Sequence, residues 1–476
     1  MDLLKTVFMK KNFTLLCLTM LLMTLIQSKA QKMDFTPLGG EFVFNHDHAV
    51  CLTHTQRSEI KTMLQEHVAQ LKMENKLLFS ETFQRGGNHV LFDWPVRKAP
   101  GVIYNDVWGI SGYVDHNVNY PNQLTDYNCG TRTYDTAAGY NHQGVDIYTW
   151  PFSWKQMDNN EAEIVAAAAG QIIAKGDGRF DRSCNFNNNT WNAVYIMHAD
   201  GSIAWYGHMK NGSLTSKTVG DMVEQGEFLG IIGSSGNSTG PHLHFEVYKD
   251  NSYTELIDPY TGSCNSLNTT SWWQSQRPYK NTNINAALTH SAPPVFPTCP
   301  QTEITNESDQ FNVNQRVYFA VYLRDQISGS QLSLRIIRPD GSIFETWNSS
   351  LTQDYNSSYW YWTNNNFTIE GEWKWQVSYM GQTVTHPFQV GTLKVNVPVK
   401  NTIAVYPNPF TDQVQINSDI AIQKVTVYDL LGKLVKSVTD NEKGVTELQL
   451  DYVNQGVYFI RAEDINGMWY TLKIVK

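Results

Sequence analysis

Short apolar runs, separated by Gly, Asn and Asp, recur along most of this 476-residue chain. Runs of this length and spacing predict antiparallel strands joined by tight turns. We expect a first group of strands at 163–169, 193–198, 203–208, 228–232 and 242–248. A second group, whose alternation is typical of a small Ig-like β-sandwich, is expected at 316–323, 332–338, 371–379 and 384–390. The fold class is therefore predicted to be mostly β, with two to four domains.

A helical pattern is found near the N-terminus. Thr53 and Gln56 have the spacing of a capping box, which fixes the first turn of a helix. Apolar residues follow at helical intervals, at Ile60, Leu64, Val68 and Leu71, and the pattern ends near Asn75. We predict a short helical N-terminal region or pro-segment over residues 31–88.

The first thirty residues have the features of a secretory signal. Three lysines precede an apolar run over residues 13–26, and small residues follow at Ser28 and Ala30. The run is too short for a stable membrane span. We predict a cleaved signal peptide over 1–30, and hence an exported chain without a transmembrane segment in its mature form.

Composition excludes two classes of protein. With 41% hydrophobic residues, the chain is not disordered. Its formal charge is −9 and it has no concentrated Lys/Arg run, so it is not expected to bind nucleic acid.

The cysteines are interpreted for an oxidising compartment. Cys17 leaves with the signal, and five remain: Cys51, Cys129, Cys184, Cys264 and Cys299. An odd number predicts two bridges and one free thiol. From their proximity to the same candidate domain or junction we expect the pairs Cys129–Cys184 and Cys264–Cys299. None has the close CxxC spacing of a zinc ribbon, so a metal would be held elsewhere.

Five residues with metal-binding side chains fall in the first group of strands. His142 and Asp146 lie four apart, His242 and His244 lie two apart, and His208 follows a Tyr-Gly pair between them. Alternate residues of a strand share a face, so His242 and His244 would point into one cleft. Three N/O ligands with one position left for water form an open, catalytic zinc site.

These motifs, in this order, resemble the lysostaphin-type zinc metallopeptidases. The resemblance covers about 130–250 and rests on the segments HQGVD (142–146), VYIMHADG (194–201), YGH (206–208), GDMVEQG (220–226) and GIIGSSGNSTGPHLHFE (230–246). It implies an antiparallel β-sheet with a groove over it and a zinc-dependent endopeptidase activity. The usual substrate of the family is the peptidoglycan cross-link.

The family pattern also implies roles for the five residues. It makes His142, Asp146 and His244 the zinc ligands and leaves His208 and His242 unligated beside the metal. Two imidazoles and one carboxylate leave a net charge near +1, which acidifies a bound water. His208 or His242 would accept its proton, and the other would stabilise the oxyanion or protonate the leaving amine.

Other histidines are interpreted differently. We assign His198 to the structure of its strand. The stretch His46-Asp47-His48, with Cys51 and His54, is expected to be an exposed loop before the capped helix. The alternatives are a second metal site, or a segment that plugs the zinc site as part of an inhibitory pre-domain.

Aromatic residues are concentrated in the second group of strands. The run 359–362 and the pair Trp373 and Trp375 would suit a stacking platform for sugar or peptide. Trp373 and Trp375 share one strand face, so we expect this pair to lie in the sandwich core.

The C-terminal block contains YPNPF (406–410), VYDLLGKLV (427–435) and GVYFIR (456–461). It is similar to the C-terminal sorting domain of the type IX secretion pathway, which implies export across the outer membrane and removal of the domain. The stretches 281–300 and 396–402 are predicted linkers. The predicted organisation is a signal at 1–30, a helical region at 31–88, a peptidase domain at 89–279, a β-sandwich at 301–395 and a β-sandwich sorting domain at 402–476.

We expect a secreted or surface-attached zinc metalloendopeptidase that acts on peptidoglycan peptides and has the type IX machinery as its export partner. The alternatives are an extracellular protease of Gly-rich proteins such as elastin, and a non-enzymatic adhesin or wall-binding module. Fold-level resemblance does not decide among these substrates.

Overall fold

The computed structural model describes residues 35–44, 50–79, 89–296, 299, 303–391, 403–418, 421–439, 446–465, 467 and 469–476. The predicted signal and the stretch His46–His48 lie outside these residues. The chain divides into two compact units at residues 392 and 393. In the described part of the chain no helix has the length and apolar character needed to cross a membrane.

The N-terminal region contains one strand and one long helix, β1 (Leu38–Glu41) and α1 (His54–Met73). The predicted capping box is confirmed, because the Thr53 side chain accepts from the Gln56 backbone and the Gln56 side chain accepts from Thr53. Leu64, Val68 and Leu71 are buried along one side of the helix.

The predicted peptidase region is built from eleven short strands and a one-turn helix among the described residues. They are β2 (Val96–Lys98), β3 (Trp108–Gly112), β4 (Val145–Thr149), α2 (Ser153–Asp158), β5 (Ala162–Val165), β6 (Gly170–Gly176), β7 (Ala193–His198), β8 (Ile203–Gly207), β9 (Met222–Val223), β10 (Phe228–Ile231), β11 (His242–Tyr248) and β12 (Leu256–Ile257).

Most of these strands form one antiparallel sheet in the order β3-β4-β11-β8-β7-β6-β9, with β12 beside β11. A smaller sheet has the order β10-β5-β2. One face of the large sheet packs its apolar residues, among them Val145 and Phe245, into a core that includes the small sheet. The other face contributes Trp205 and Tyr195 to a second core, shared with α1.

The β-sandwich follows with eight strands. They are β13 (Asn283–His290), β14 (Gln310–Phe311), β15 (Val317–Gln326), β16 (Gln331–Ile337), β17 (Ile343–Ser350), β18 (Tyr355–Asn364), β19 (Gly371–Tyr379) and β20 (Gln382–Val390). One sheet has the order β1-β18-β15-β13 and the other β14-β20-β19-β16-β17. Trp373 and Trp375 are buried between the sheets, which confirms the prediction for this pair.

The predicted linker at 281–300 is wrong for its first half, since residues 283–290 form β13. This strand is buried on both faces: Ile284 and Ala287 join the sandwich core, whereas Ala286 and Leu288 join the peptidase core. Its small residues hide the alternation that would have identified it. The peptidase region and the sandwich are thereby packed into one unit.

The predicted disulfide pairing is also wrong. The bridges join Cys129 to Cys264 and Cys184 to Cys299, and Cys51 is the free cysteine among the described residues. The loop after β12 returns to residue 127, where the Cys264 backbone N–H donates to the Tyr127 carbonyl at 3.0 Å. Proximity in the fold, and not along the chain, therefore decides the pairing.

The second unit consists of two small antiparallel sheets, ordered β21-β22-β25 and β24-β23-β26-β27. Their strands are β21 (Ile403–Tyr406), β22 (Gln413–Ser418), β23 (Ile422–Asp429), β24 (Leu434–Thr439), β25 (Glu447–Gln449), β26 (Val457–Asp464) and β27 (Trp469–Val475). They enclose a core of their own, to which Val425 and Ile460 contribute.

The sandwich core can be tested at Trp375. We expect Trp375→Ala to lower the free energy of unfolding by about 3–5 kcal/mol, because it removes a large, fully buried ring. Lys374→Ala on the exposed face of the same strand should change it by less than about 0.5 kcal/mol. Urea unfolding of both variants gives the comparison. Equal midpoints would contradict the assignment of Trp375 to the core.

Candidate metal centre

The register of three neighbouring strands brings the candidate ligands together. Asp146 on β4 lies directly opposite His244 on β11. On the other side of β11, His244 lies opposite Gly207, so that His208 follows at the end of β8. His142 lies in the turn that leads into β4. Two motifs separated by about a hundred residues are thus neighbours in one sheet.

Three donor atoms converge on one point. Nε2 of His142 is 3.1 Å from the Asp146 carboxylate and 3.4 Å from Nδ1 of His244. Nδ1 of His244 is 2.8 Å from Asp146. Ligands of tetrahedral zinc, with bonds of about 2.0–2.1 Å, lie about 3.3 Å apart. The chemistry and spacing of this donor set therefore fit zinc.

The outward nitrogens of both imidazoles are fixed by acceptors. Nδ1 of His142 donates to the Tyr113 carbonyl at 2.7 Å. Nε2 of His244 donates to the Glu246 carboxylate at 2.9 Å. Each bond places the ring proton on the outward nitrogen and leaves the inward lone pair for a metal ion.

Glu246 is itself held by a buried partner. Its carboxylate pairs with the guanidinium of Arg57 from α1, and both side chains are buried. Burial alone would raise the pKa of Glu246, but Arg57 and His244 lower it to about 2. Glu246 is therefore ionised and accepts the His244 proton as a carboxylate.

The groups around His244 and Asp146 stabilise a positive charge at this site. Burial alone would lower the pKa of His244, yet Cys51 and Asp146 raise it well above its usual value. Burial opposes ionisation of Asp146, but His142, His242 and His244 hold its pKa well below its usual value. A positive charge between these groups is stabilised.

His208 and His242 form a second pair, with ring centroids 4.3 Å apart. Nδ1 of His208 donates to the Ser235 carbonyl at 2.6 Å, and Nδ1 of His242 donates to the Gly240 carbonyl at 2.9 Å. Nε2 of both rings is thus the atom with a lone pair. Burial lowers the pKa of both, which keeps them neutral and able to accept a proton.

The backbone at His208 adopts an unusual conformation. Its φ is 61°, in the left-handed region that non-glycine residues seldom occupy. The preceding Gly207 lies against the Trp191 ring, where a Cβ would come within 2.6 Å. Such backbone conformations are concentrated at functional sites.

His198 lies apart from this cluster. Its Nδ1 donates to the Ala169 carbonyl at 2.9 Å, and its ring packs edge-on against Phe92. These contacts agree with the structural assignment made from the sequence.

The expectation of an exposed loop before α1 is wrong for Cys51. This residue is buried, and its Sγ is 3.1 Å from Nε2 of His208. Burial raises the pKa of the thiol, and the neighbouring His244 opposes that increase. His54, in contrast, is exposed at the first turn of α1.

Sequence reasoning missed two further residues of the centre. Tyr134 stacks on His142 with ring centroids 4.4 Å apart, and no local pattern predicts this contact. Glu246 is the third member of the face that begins at His242 and His244, so strand alternation alone could have placed it there.

Comparison with known protein families agrees with this geometry. Residues 140–259 match the model of Peptidase family M23, and residues 404–476 match that of the Secretion system C-terminal sorting domain. The chain carries a family M23 metallopeptidase domain. The lysostaphin-type resemblance in the sequence is thus confirmed, as is the presence of a sorting domain.

Three curated relatives share this segment of the chain. The peptidoglycan DD-endopeptidase ShyC of Vibrio cholerae is 37% identical over 84 residues, which are 18% of this chain and 18% of that protein. The DD-carboxypeptidase/endopeptidase Mpg of Neisseria meningitidis is 49% identical over 84 residues, 18% of this chain and 16% of that protein. The glycyl-glycine endopeptidase ALE-1 of Staphylococcus capitis is 31% identical over 109 residues, 23% of this chain and 25% of that protein. The chain therefore spans at most about a quarter of these relatives' lengths.

Gly144 tests the packing around His244. A Cβ at this position would lie 2.6 Å from the His244 ring, so Gly144→Ala must displace a candidate ligand. We expect zinc affinity to fall about 10–100-fold, as for other changes that disturb ligand orientation. Gly176→Ala, at a strand end with open space around it, is the matched control and should bind zinc normally. Competition with a chromogenic chelator measures both affinities, and equal values would contradict the packing argument.

Proposed function

We propose that this protein is a zinc-dependent endopeptidase that hydrolyses peptides of the bacterial cell wall outside the cell that makes it. The observation that carries the proposal is the convergence of His142, Asp146 and His244 beside two neutral imidazoles, those of His208 and His242. The named relatives, which are peptidoglycan and glycyl-glycine endopeptidases, support the choice of substrate class.

The zinc ion, when bound, supplies Lewis-acid polarisation of the scissile carbonyl and of a water molecule. The chain supplies the proton acceptor. Nε2 of His242 is 3.9 Å from the Asp146 carboxylate, and the His208 ring lies beside that of His242. One imidazole accepts the proton of the attacking water, and the other stabilises the developing oxyanion or protonates the leaving amine.

The carbonyls that hold these two rings contribute to the chemistry. Ser235 and Gly240 accept from Nδ1 and so keep each Nε2 unprotonated before the reaction. After proton transfer, the same bonds stabilise the imidazolium cation, as oriented acceptors do in other hydrolases.

Export is proposed from the two ends of the chain. The sequence of residues 1–30 has the features of a signal peptide, and the matched sorting domain over 404–476 implies the type IX machinery as a partner. We propose that the product is extracellular or attached to the cell surface.

The substrate is tested directly with the purified full chain. Because Cys51 contacts His208, hydrolysis is measured both with Cys51 present and in Cys51→Ala. We expect new amino groups to be released from cross-linked peptidoglycan, the release to stop with a chelator and to return with zinc. Mass spectrometry of the products identifies the bond, and elastin serves as the second substrate.

Hydrolysis of elastin alone would replace the cell-wall substrate with an extracellular protein. Release from neither substrate, by either form of the chain, would contradict the enzymatic proposal and favour a binding module.

The ligand and proton-transfer roles are separated by two variants. His244→Ala should lose both zinc and hydrolysis, because it removes a donor. His208→Ala should keep zinc but lose about 10²–10⁴-fold in rate, the usual contribution of a general acid or base. Both are compared in the Cys51→Ala background, with His386→Gln in the sandwich strand β20 as the histidine control. Normal turnover by His208→Ala would leave that role to His242.

A further inference from the structure

A cavity of about 420 Å³ lies beside the strand that carries His242. Gly240 and Pro241, the two residues before β11, form part of its wall. The Gly240 carbonyl also accepts from Nδ1 of His242 at 2.9 Å, so the cavity and a proposed catalytic ring share one segment of backbone. Phe44, another lining residue, meets the His242 ring edge-on at 5.8 Å between centroids. A ligand in the cavity would therefore lie next to the candidate metal centre.

The side chains around this cavity favour a positively charged ligand. Its lining includes two acidic residues, Glu41 and Glu303, and among the described residues it includes no lysine, arginine or histidine. Five aromatic residues also line it, among them Trp154, Phe296 and Tyr359. Carboxylates form strong hydrogen bonds with cationic donors, and the faces of aromatic rings attract ammonium groups within about 6 Å. This combination is typical of a binding site for an ammonium group.

Glu303 is fixed in position by the backbone of α2. Its carboxylate accepts from the backbone N–H of Lys155 at 2.9 Å. The Lys155 ammonium itself contacts the Glu307 carboxylate at 3.1 Å and donates to the Tyr104 hydroxyl at 2.6 Å. Within the described part of the chain, no cationic side chain forms an ion pair with Glu303. The Glu303 carboxylate is thus held in place and available to a cationic ligand.

The surroundings of Glu303 agree with a missing positive charge. Burial raises the pKa of Glu303 to about 7, and Glu307 and Asp158 contribute to the increase, whereas two backbone N–H groups of α2 oppose it. An opposite charge within a few ångströms favours the ionised form of a carboxyl group. A cation bound in the cavity would therefore reverse this increase and stabilise the carboxylate.

Most of the lining residues lie outside the segment 140–259 that matches the peptidase family. Phe296 follows β13, and its ring centroid is 4.8 Å from that of Tyr359 and 5.2 Å from that of Phe152. Tyr359 lies on β18 of the sandwich, where the Ser357 hydroxyl contacts the hydroxyl of Tyr148 on β4. The sandwich and the stretch after β13 thus complete a cavity that the peptidase segment alone does not form.

We propose that this cavity is a specificity subsite that binds a primary ammonium group of the substrate peptide, with Glu303 as its carboxylate partner and Tyr359 as part of its aromatic wall. The inference rests on the proposed function and adds a chemical class of substrate to it. The side chain of a diamino acid such as lysine and a free peptide N-terminus both carry such a group. Binding of the cation would hold the neighbouring peptide bonds of the substrate beside the donor cluster.

The test measures the binding of three fluorescent peptides to the zinc-loaded full chain. Each peptide contains one lysine among glycines. The first has a free lysine side chain and an acetylated N-terminus, the second is acetylated at both amines, and the third has a free N-terminus and an acetylated side chain. Fluorescence anisotropy gives the three affinities, and mass spectrometry verifies that the peptides are uncleaved during the measurement.

The wild type alone can overturn the proposal. We expect it to bind the first or the third peptide about tenfold more tightly than the second, which is a usual effect of a hydrogen bond to a charged group. The peptide that binds tightly identifies whether the ammonium group belongs to the side chain or to the N-terminus. Equal affinities for all three peptides would refute the subsite.

The role of Glu303 is tested by Glu303→Gln, which removes the charge but keeps a side-chain oxygen for the Lys155 N–H. We expect this variant to fold like the wild type and to bind the three peptides equally. Glu372→Gln, on the exposed face of β19, is the matched control and should keep the preference for the ammonium group. A preference that survives in Glu303→Gln would overturn the assignment of Glu303 as the partner.

Hydrolysis is measured separately, with the same peptides and with cross-linked peptidoglycan. For a peptide that is cleaved, Glu303→Gln should raise KM for the form with the ammonium group and leave kcat nearly unchanged, because the cavity holds substrate and takes no part in proton transfer. Selective binding without hydrolysis of any substrate would sustain the subsite and refute the peptidase. Hydrolysis with equal affinity for all three peptides would sustain the peptidase and refute the subsite.

Discussion

The register between β4 and β11 is the constraint on which the candidate centre depends. It places Asp146 directly across from His244, on the face opposite to the core residues Val145 and Phe245. A slip of one residue would exchange these faces, burying a carboxylate in the apolar core and turning Phe245 outward. Because both faces are covered, that slip is strongly disfavoured. The register that packs the apolar residues into the core is therefore the same register that brings the metal donors together.

Burial of both faces also explains part of the chain's aromatic content, which is 12% of its residues. Trp205, Tyr195 and Tyr248 are buried under α1, although they share the face of the donor cluster. A surface of this kind would be an exposed apolar patch without the helix, and such patches are usually interaction sites. The helix therefore converts these rings from a surface patch into part of a buried core.

The sequence allowed prediction where a signal was local. Strand alternation placed His242 and His244 on one face, and the capping box located the start of α1. Prediction from the sequence failed where segments that are distant along the chain meet in the fold. The true disulfide pairs, the strand β13 and the contact of Cys51 with His208 all depend on topology, which no local pattern encodes. The odd number of cysteines predicted one free thiol, and the expected pairs left Cys51 as that residue. Its position beside the metal centre could be seen only in the fold.

The peptidase region orients its own histidines, and this bears on what the N-terminal segment does. The acceptors for the outward ring nitrogens are the carbonyls of Tyr113, Ser235 and Gly240 and the carboxylate of Glu246, all within 89–279. Arg57 contacts Glu246 and the Tyr248 hydroxyl, and Glu246 is one hydrogen bond further from the metal centre than His244. Loss of the segment would thus leave every ring tautomer in place while freeing Nε2 of His208. The segment therefore reaches the centre at two points, Cys51 against His208 and Arg57 against Glu246, without itself setting a ring tautomer.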